Sequence, residues 1–144
     1  MIEDHDFHIE WIPACPVQLN ENALKRALIS LCRDHDFKAL SLEINLLDDE
    51  EIQTLNRQYL GHDYPTDILT FDLSFDETAI EGSLHISLEM VGHQAHEWQL
   101  SFEDELFRVI VHGVLHLVGY DDLTAEDKAE MVKMEDRYLD QCST

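Results

Sequence analysis

The sequence predicts an α+β domain in which a small, mostly four-stranded sheet packs with about five helices around one central buried helix. Three patterns carry that reading. Apolar segments of period two and period 3.6 follow one another in the order β-α-β-α-β-β-α-α-α. The segment between Ser101 and Gly119 is apolar on nearly every side, which marks a helix enclosed by the rest of the fold. The five glycines and three prolines are scattered singly, with no repeat or linker, so residues 1–144 read as one domain.

Phe7–Ile12 reads as a first strand that stops before Pro13. Asn20 is placed to cap a helix running to about Asp34, with Leu24, Ala27, Leu28, Leu31 and Cys32 on its apolar face. Leu40, Leu42, Ile44 and Leu46 alternate with other residues, the mark of a strand with one buried face. Asp48 or Asp49 then caps a helix to about Leu60, and Gly61 supplies its stop. Residues 67–73 and 83–87 read as two strands of a hairpin joined by an acidic loop. Ser87 caps a helix to about Trp98, and Ser101 with Asp104 resembles a capping box for the central helix, which ends at a Gly119 C-cap. Thr124 and Asp127 open a last helix through Met131, Met134 and Leu139.

The balance of 31 acidic against 9 basic residues leaves a net charge of −22. Taken alone, it argues against phosphate tracking by clustered lysines and arginines, and against anionic membrane surfaces. The longest apolar stretch, residues 109–120, is interrupted by His112 and His116 and is shorter than the roughly 20 residues that span a bilayer. The first residues are acidic and lead into no apolar core, so no secretory signal is expected and the cytoplasm is the predicted compartment. Cys15, Cys32 and Cys142 are odd in number and far apart, which fits reduced structural thiols.

His112 and His116 are four residues apart, so on a helix their imidazoles project from one face and can share a metal ion. As mere core residues, each would need its own buried partner. Gly119 can reverse the chain and bring Asp121 or Asp122 back toward them as a third ligand. Two imidazoles and a carboxylate leave an open position on a tetrahedral ion, the arrangement of a catalytic site. The spacing also matches the zinc-peptidase pattern H-E-x-x-H, but Gly113 stands where that pattern has its general base.

The run His112-Gly-Val-Leu-His116-Leu-Val-Gly119-Tyr120-Asp121-Asp122 resembles the signature H-G-x-L-H-L-x-G-Y-D-H of the YbeY family of bacterial metal-dependent endoribonucleases. Leu55-Asn56 and Pro65-Thr66-Asp67-Ile68-Leu69-Thr70-Phe71 are similar to a second family block. Lesser matches are Gln94-Ala95, Glu105-Leu106, and Met131 with Glu135. The resemblance implies a single-strand-specific endoribonuclease that acts in ribosomal RNA processing, notably 3′-end maturation of the small-subunit RNA, and in ribosome quality control. It implies one zinc ion held by His112, His116 and the residue at 122, with ribosomal RNA, the small subunit and basic ribosomal proteins as partners. No DNA and no membrane are expected.

Three departures from the family pattern bear on chemistry. Asp122 replaces the third histidine; it occupies the ligand position, while Asp121 matches the family aspartate beside it. A carboxylate there makes the site hospitable to manganese, iron or nickel as well as zinc. Leu60 stands where many relatives carry an arginine that would stabilise charge on a phosphate, and Arg57, three positions earlier, is the nearest candidate to compensate. Gly82-Ser83 stands where relatives often show Gly-Asp, with no mechanistic consequence assigned. Leu60 also keeps alive a ribosome-assembly factor with a mainly structural metal, and a hydrolase of another substrate is a third reading. His93 and His96 read as exposed surface, His85 as a packed strand histidine, and His62 with Asp63 as a border of the site.

The acidic surface then limits how RNA is found rather than excluding it: weak binding to naked RNA is expected, with delivery by basic protein partners.

Overall fold

The structure, a computed structural model, describes residues 6–62 and 66–142. Its elements follow the expected order: β1 (Phe7–Ile12), α1 (Glu21–Asp34), β2 (Ala39–Leu47), α2 (Asp49–Leu60), β3 (Ile68–Asp72), β4 (Ala79–Ser87), α3 (Leu88–Glu97), α4 (Phe102–Leu117) and α5 (Ala125–Cys142). The caps are the polar residues expected from the sequence. Asn20 accepts from the Ala23 amide, Ser87 from Met90 and Ser101 from Asp104. Asp48 and Glu51 form a reciprocal capping box, and Gly61 closes α2 in the left-handed conformation. Thr124 Oγ1 accepts from the Asp127 amide at the start of α5.

The four strands form one sheet in the order β1-β2-β4-β3, with β1–β2 and β2–β4 parallel and β3–β4 antiparallel. The register aligns Phe7, Leu40 and Ile80 across the sheet, then Trp11, Ile44 and Leu84, so alternate residues of three strands make one continuous apolar face. That face carries the core with Leu28, Leu31, Leu106, Val109, Ile110 and Tyr138 of the helices, all at most 1% exposed or fully buried. α2 instead meets β3 and β4 through Ile52 and Asn56.

β4 is longer than the expected segment 83–87 and begins at Ala79. Glu81 and Gly82 break the apolar alternation, but β4 pairs with β2 along its whole length, and the ladder overrides the local pattern. Gly82 is there for space: a Cβ would meet Leu117 Cδ1 at 2.6 Å. Gly113 has the same role on α4, where a Cβ would meet Ile68 Cδ1 at 2.7 Å and both Leu84 and Thr70 at 3.1 Å. With α4 seated closely on β3 and β4, a larger residue at 113 therefore needs the side chains of Ile68, Leu84 and Thr70 to shift.

Among the described residues, no helix is long and apolar enough to cross a membrane. All three cysteines are free, and burial pushes the Cys32 thiol up to about 12 and chiefly burial the Cys142 thiol up to about 11.

The C-cap of α4 is Val118 rather than Gly119; Gly119 follows it at φ +110°. That backbone region is strained for any residue with a Cβ. Gly119→Ala is expected to lower stability by about 1–3 kcal/mol, read from the urea midpoint at unchanged m-value.

Candidate metal centre

α4 is the most enclosed helix, with nine buried residues, and it carries both histidines in its last turns. His112 and His116 sit one turn apart with their rings 4.6 Å apart and nearly perpendicular. Beyond Gly119 the chain turns back and places Asp122 Oδ2 3.5 Å from each Nε2 atom. Asp121 is exposed, and its Oδ1 accepts the Asp122 amide at 2.8 Å. Of the two carboxylates left open by chain reversal, the turn therefore brings Asp122 to the histidines and uses Asp121 to shape the loop.

Each histidine is oriented through its other nitrogen. His112 Nδ1 donates to Glu135 Oε2 at 2.7 Å, and His116 Nδ1 donates to the carbonyl of Tyr120 at 3.0 Å. Carbonyl and carboxylate oxygens only accept, so both Nδ1 atoms are protonated, which leaves Nε2 as the ligating nitrogen of each ring in its neutral form; the two Nε2 atoms face each other 3.1 Å apart. Two nitrogen lone pairs and a carboxylate oxygen converging this closely repel unless positive charge lies among them. Burial works against protonation of His112, but the hydrogen bond and charge of Glu135, joined by Asp67 and Asp122, raise its affinity for positive charge above the usual histidine range.

The spacing fits a metal. Ligand atoms about 2.0–2.2 Å from a tetrahedral ion lie roughly 3.3–3.6 Å from one another. The three separations here are 3.1, 3.5 and 3.5 Å. Among the described residues this is the one group of three His, Cys, Asp or Glu side chains so placed.

Behind the ligand face lies a buried ionic network. Arg108 grips Glu105 with Nε and Nη2 at 2.7 and 2.6 Å and reaches Glu135 with Nη1 at 3.1 Å. Gln94 Nε2 donates to Glu105 at 2.6 Å and to Asp67 at 3.3 Å. Trp98 lies under the guanidinium, whose carbon is 5.1 Å from the ring centroid. Tyr120 is steadied from the opposite side, where His35 Nδ1 donates to Leu31 O at 2.8 Å and His35 Nε2 accepts from the Tyr120 hydroxyl at 2.9 Å.

The site opens into a cleft of about 250 Å³ lined by Leu60, residues 66–70, His112, His116 and Asp122. Leu60 thus faces the centre. Arg57 is exposed on α2 and outside that lining, so the structure does not bring it into the cleft. His93 and His96 are exposed, and His85 bonds Ser83 Oγ at 2.8 Å away from the cleft lining. His62 is exposed and absent from the lining; Asp63 and Pro65 lie outside the described residues.

Arg108 and His35 escaped the sequence reading, and Glu105, Gln94 and Glu135 appeared there only as unexplained matches. A signal existed for the first network: positions 105, 108, 112 and 116 fall on one helical stripe, so a charged pair on a buried helix shares a face with the histidines.

Residues 13–143 match the family described as Endoribonuclease YbeY. The chain is 40% identical to the endoribonuclease YbeY of Chlorobium phaeovibrioides over 84% of its own length and 81% of the relative's. Against the endoribonuclease YbeY of Chloroherpeton thalassium the identity is 39%, over 85% and 86%. A Thermotoga maritima protein solved in solution is similar in fold, with a TM-score of 0.63 at 28% identity, covering 94% of this chain and 88% of that one.

Arg108→Met strands Glu105 and Glu135, which are 0% and 4% exposed, without their cation. The expected cost is about 3–5 kcal/mol, measured by denaturant unfolding. Arg137→Met, which breaks the exposed pair with Asp34, should cost under about 1 kcal/mol.

Proposed function

The chain belongs to the YbeY family of endoribonucleases, and from that premise we propose that residues 1–144 form one domain that cleaves single-stranded RNA at a metal held by His112, His116 and Asp122. The observation that carries the metal assignment is the convergence of two Nε2 atoms and one carboxylate oxygen at 3.1–3.5 Å, each histidine fixed through its Nδ1. A divalent ion bound there supplies Lewis-acid polarisation of a phosphate oxygen and a water of lowered pKa. The protein's own contribution is orientation. Glu135 and the Tyr120 carbonyl hold both imidazoles in the ligating tautomer, and Asp122 brings one negative charge.

Zinc is the ion we assign. Two histidines and a carboxylate also suit manganese, iron or nickel. The substrate is ribosomal RNA, met in the cytoplasm on the small subunit, where basic ribosomal proteins offset the acidic surface of this chain; 3′-end maturation of the small-subunit RNA and quality control are the processes served. Leu60 in the cleft favours a second reading, in which the protein is an assembly factor with a mainly structural metal. Peptidase chemistry of the H-E-x-x-H kind is opposed by Gly113, which offers no side chain to act as the base and faces Ile68, Thr70 and Leu84 of the sheet.

His112→Ala, His116→Ala and Asp122→Ala are each expected to lose bound metal, by metal analysis of the purified protein, and cleavage of single-stranded ribosomal RNA. Retention of stoichiometric metal by all three would defeat the assignment. Metal-loaded native protein that cleaves nothing yet co-sediments with small subunits would select the assembly reading. Leu60→Arg, at a half-exposed position on the cleft wall, should raise kcat/KM by about tenfold or more by placing a cation beside the reacting phosphate.

A further inference from the structure

We propose that Tyr59 is the base-stacking residue of the substrate site, receiving the face of a nucleobase beside the bond that is cut. This rests on the endoribonuclease reading above. Tyr59 closes α2 together with Leu60, and the two are 60% and 51% exposed, a contiguous apolar and aromatic rim. Leu60 lines the cleft. The Tyr59 ring meets Phe71 nearly at right angles, 5.9 Å between centroids, and Phe71 in turn meets His85 at 5.3 Å. Thr70, the residue before Phe71, is part of the cleft wall. Tyr59 thus adjoins one residue of the cleft wall, Leu60, its tilt is set by Phe71, and more than half of its surface faces solvent.

Charge makes this rim the place where affinity has to come from. The described lining of the cleft contains no lysine or arginine and does contain Asp67 and Asp122. Arg108 is committed to Glu105 and Glu135. Among the described residues that line the cleft, none therefore offers a cation to a phosphate, in a chain of net charge −22. Stacking is indifferent to that charge, works with any base because every base has a π face, and requires an unpaired base. It yields single-strand preference without sequence reading. Leu60 borders the cleft and Tyr59 stands directly before it, so a strand whose phosphate lies in the cleft and that runs past Leu60 meets the Tyr59 ring with its next base.

The test compares native protein, Tyr59→Ala and Tyr59→Phe, all metal-loaded, on a short single-stranded RNA. The same RNA is then made with one abasic ribose at each position flanking the cleaved bond. Tyr59→Ala should raise KM about tenfold with kcat, metal content and thermal midpoint nearly unchanged, and Tyr59→Phe should restore native KM. An abasic ribose at one flanking position should weaken the native protein equally and Tyr59→Ala no further. Equal loss on intact RNA and on every abasic RNA, no loss at all, or failure of Tyr59→Phe to rescue would overturn the stacking role. Native protein that cleaves none of these RNAs would overturn the endoribonuclease reading, and the inference with it.

Discussion

The candidate metal centre depends on one hydrogen bond, from His112 Nδ1 to Glu135 Oε2 at 2.7 Å. It fixes the tautomer that leaves Nε2 bare, and it joins α5 to α4, since Glu135 belongs to the last helix. A carboxylate buried to 4% exposure is costly to leave alone, so the bond exists only because Arg108 neutralises its other oxygen. Arg108 is in turn held by Glu105, Gln94 secures Glu105, and the chain of polar partners runs from α3 through α4 to α5. The second histidine is fixed by different means, a backbone carbonyl in the turn that Gly119 permits. One histidine is thus set by packing between helices and the other by local chain reversal.

Most of the fold was legible because it obeys local rules. Asn20, Asp48, Ser87, Ser101 and Thr124 stand at helix starts for the reason that their side-chain oxygens take otherwise unpaired amides, and Leu40 to Leu46 alternate because one face of β2 is buried. β4 was read too short because Gly82 and Glu81 look like interruptions until the ladder with β2 and the approach of Leu117 are known. At the site, the i, i+4 histidines and the returning carboxylate could be read from spacing. Glu135 could not be given a role that way, since 23 residues separate it from His112 and only the packing of α5 brings them together. Nor could His35, which reaches Tyr120 across 85 residues. Long-range polar contacts leave no period in a sequence.

The two departures at the cleft act in the same electrical direction. A histidine at 122 would be neutral where Asp122 is anionic, and an arginine at 60 would be cationic where Leu60 is neutral, so the cleft is two charge units more negative than with those residues. Asp67 adds to the deficit. In a partly enclosed site such a difference is weakly screened, and a phosphate is repelled until positive charge is bound. The same deficit strengthens attraction for a cation. Cation binding therefore has to precede the nucleic acid, and the final affinity for RNA depends on contacts that charge does not govern. Leu60 on the cleft wall and the exposed Tyr59 beside it in α2 are candidates to supply such contacts.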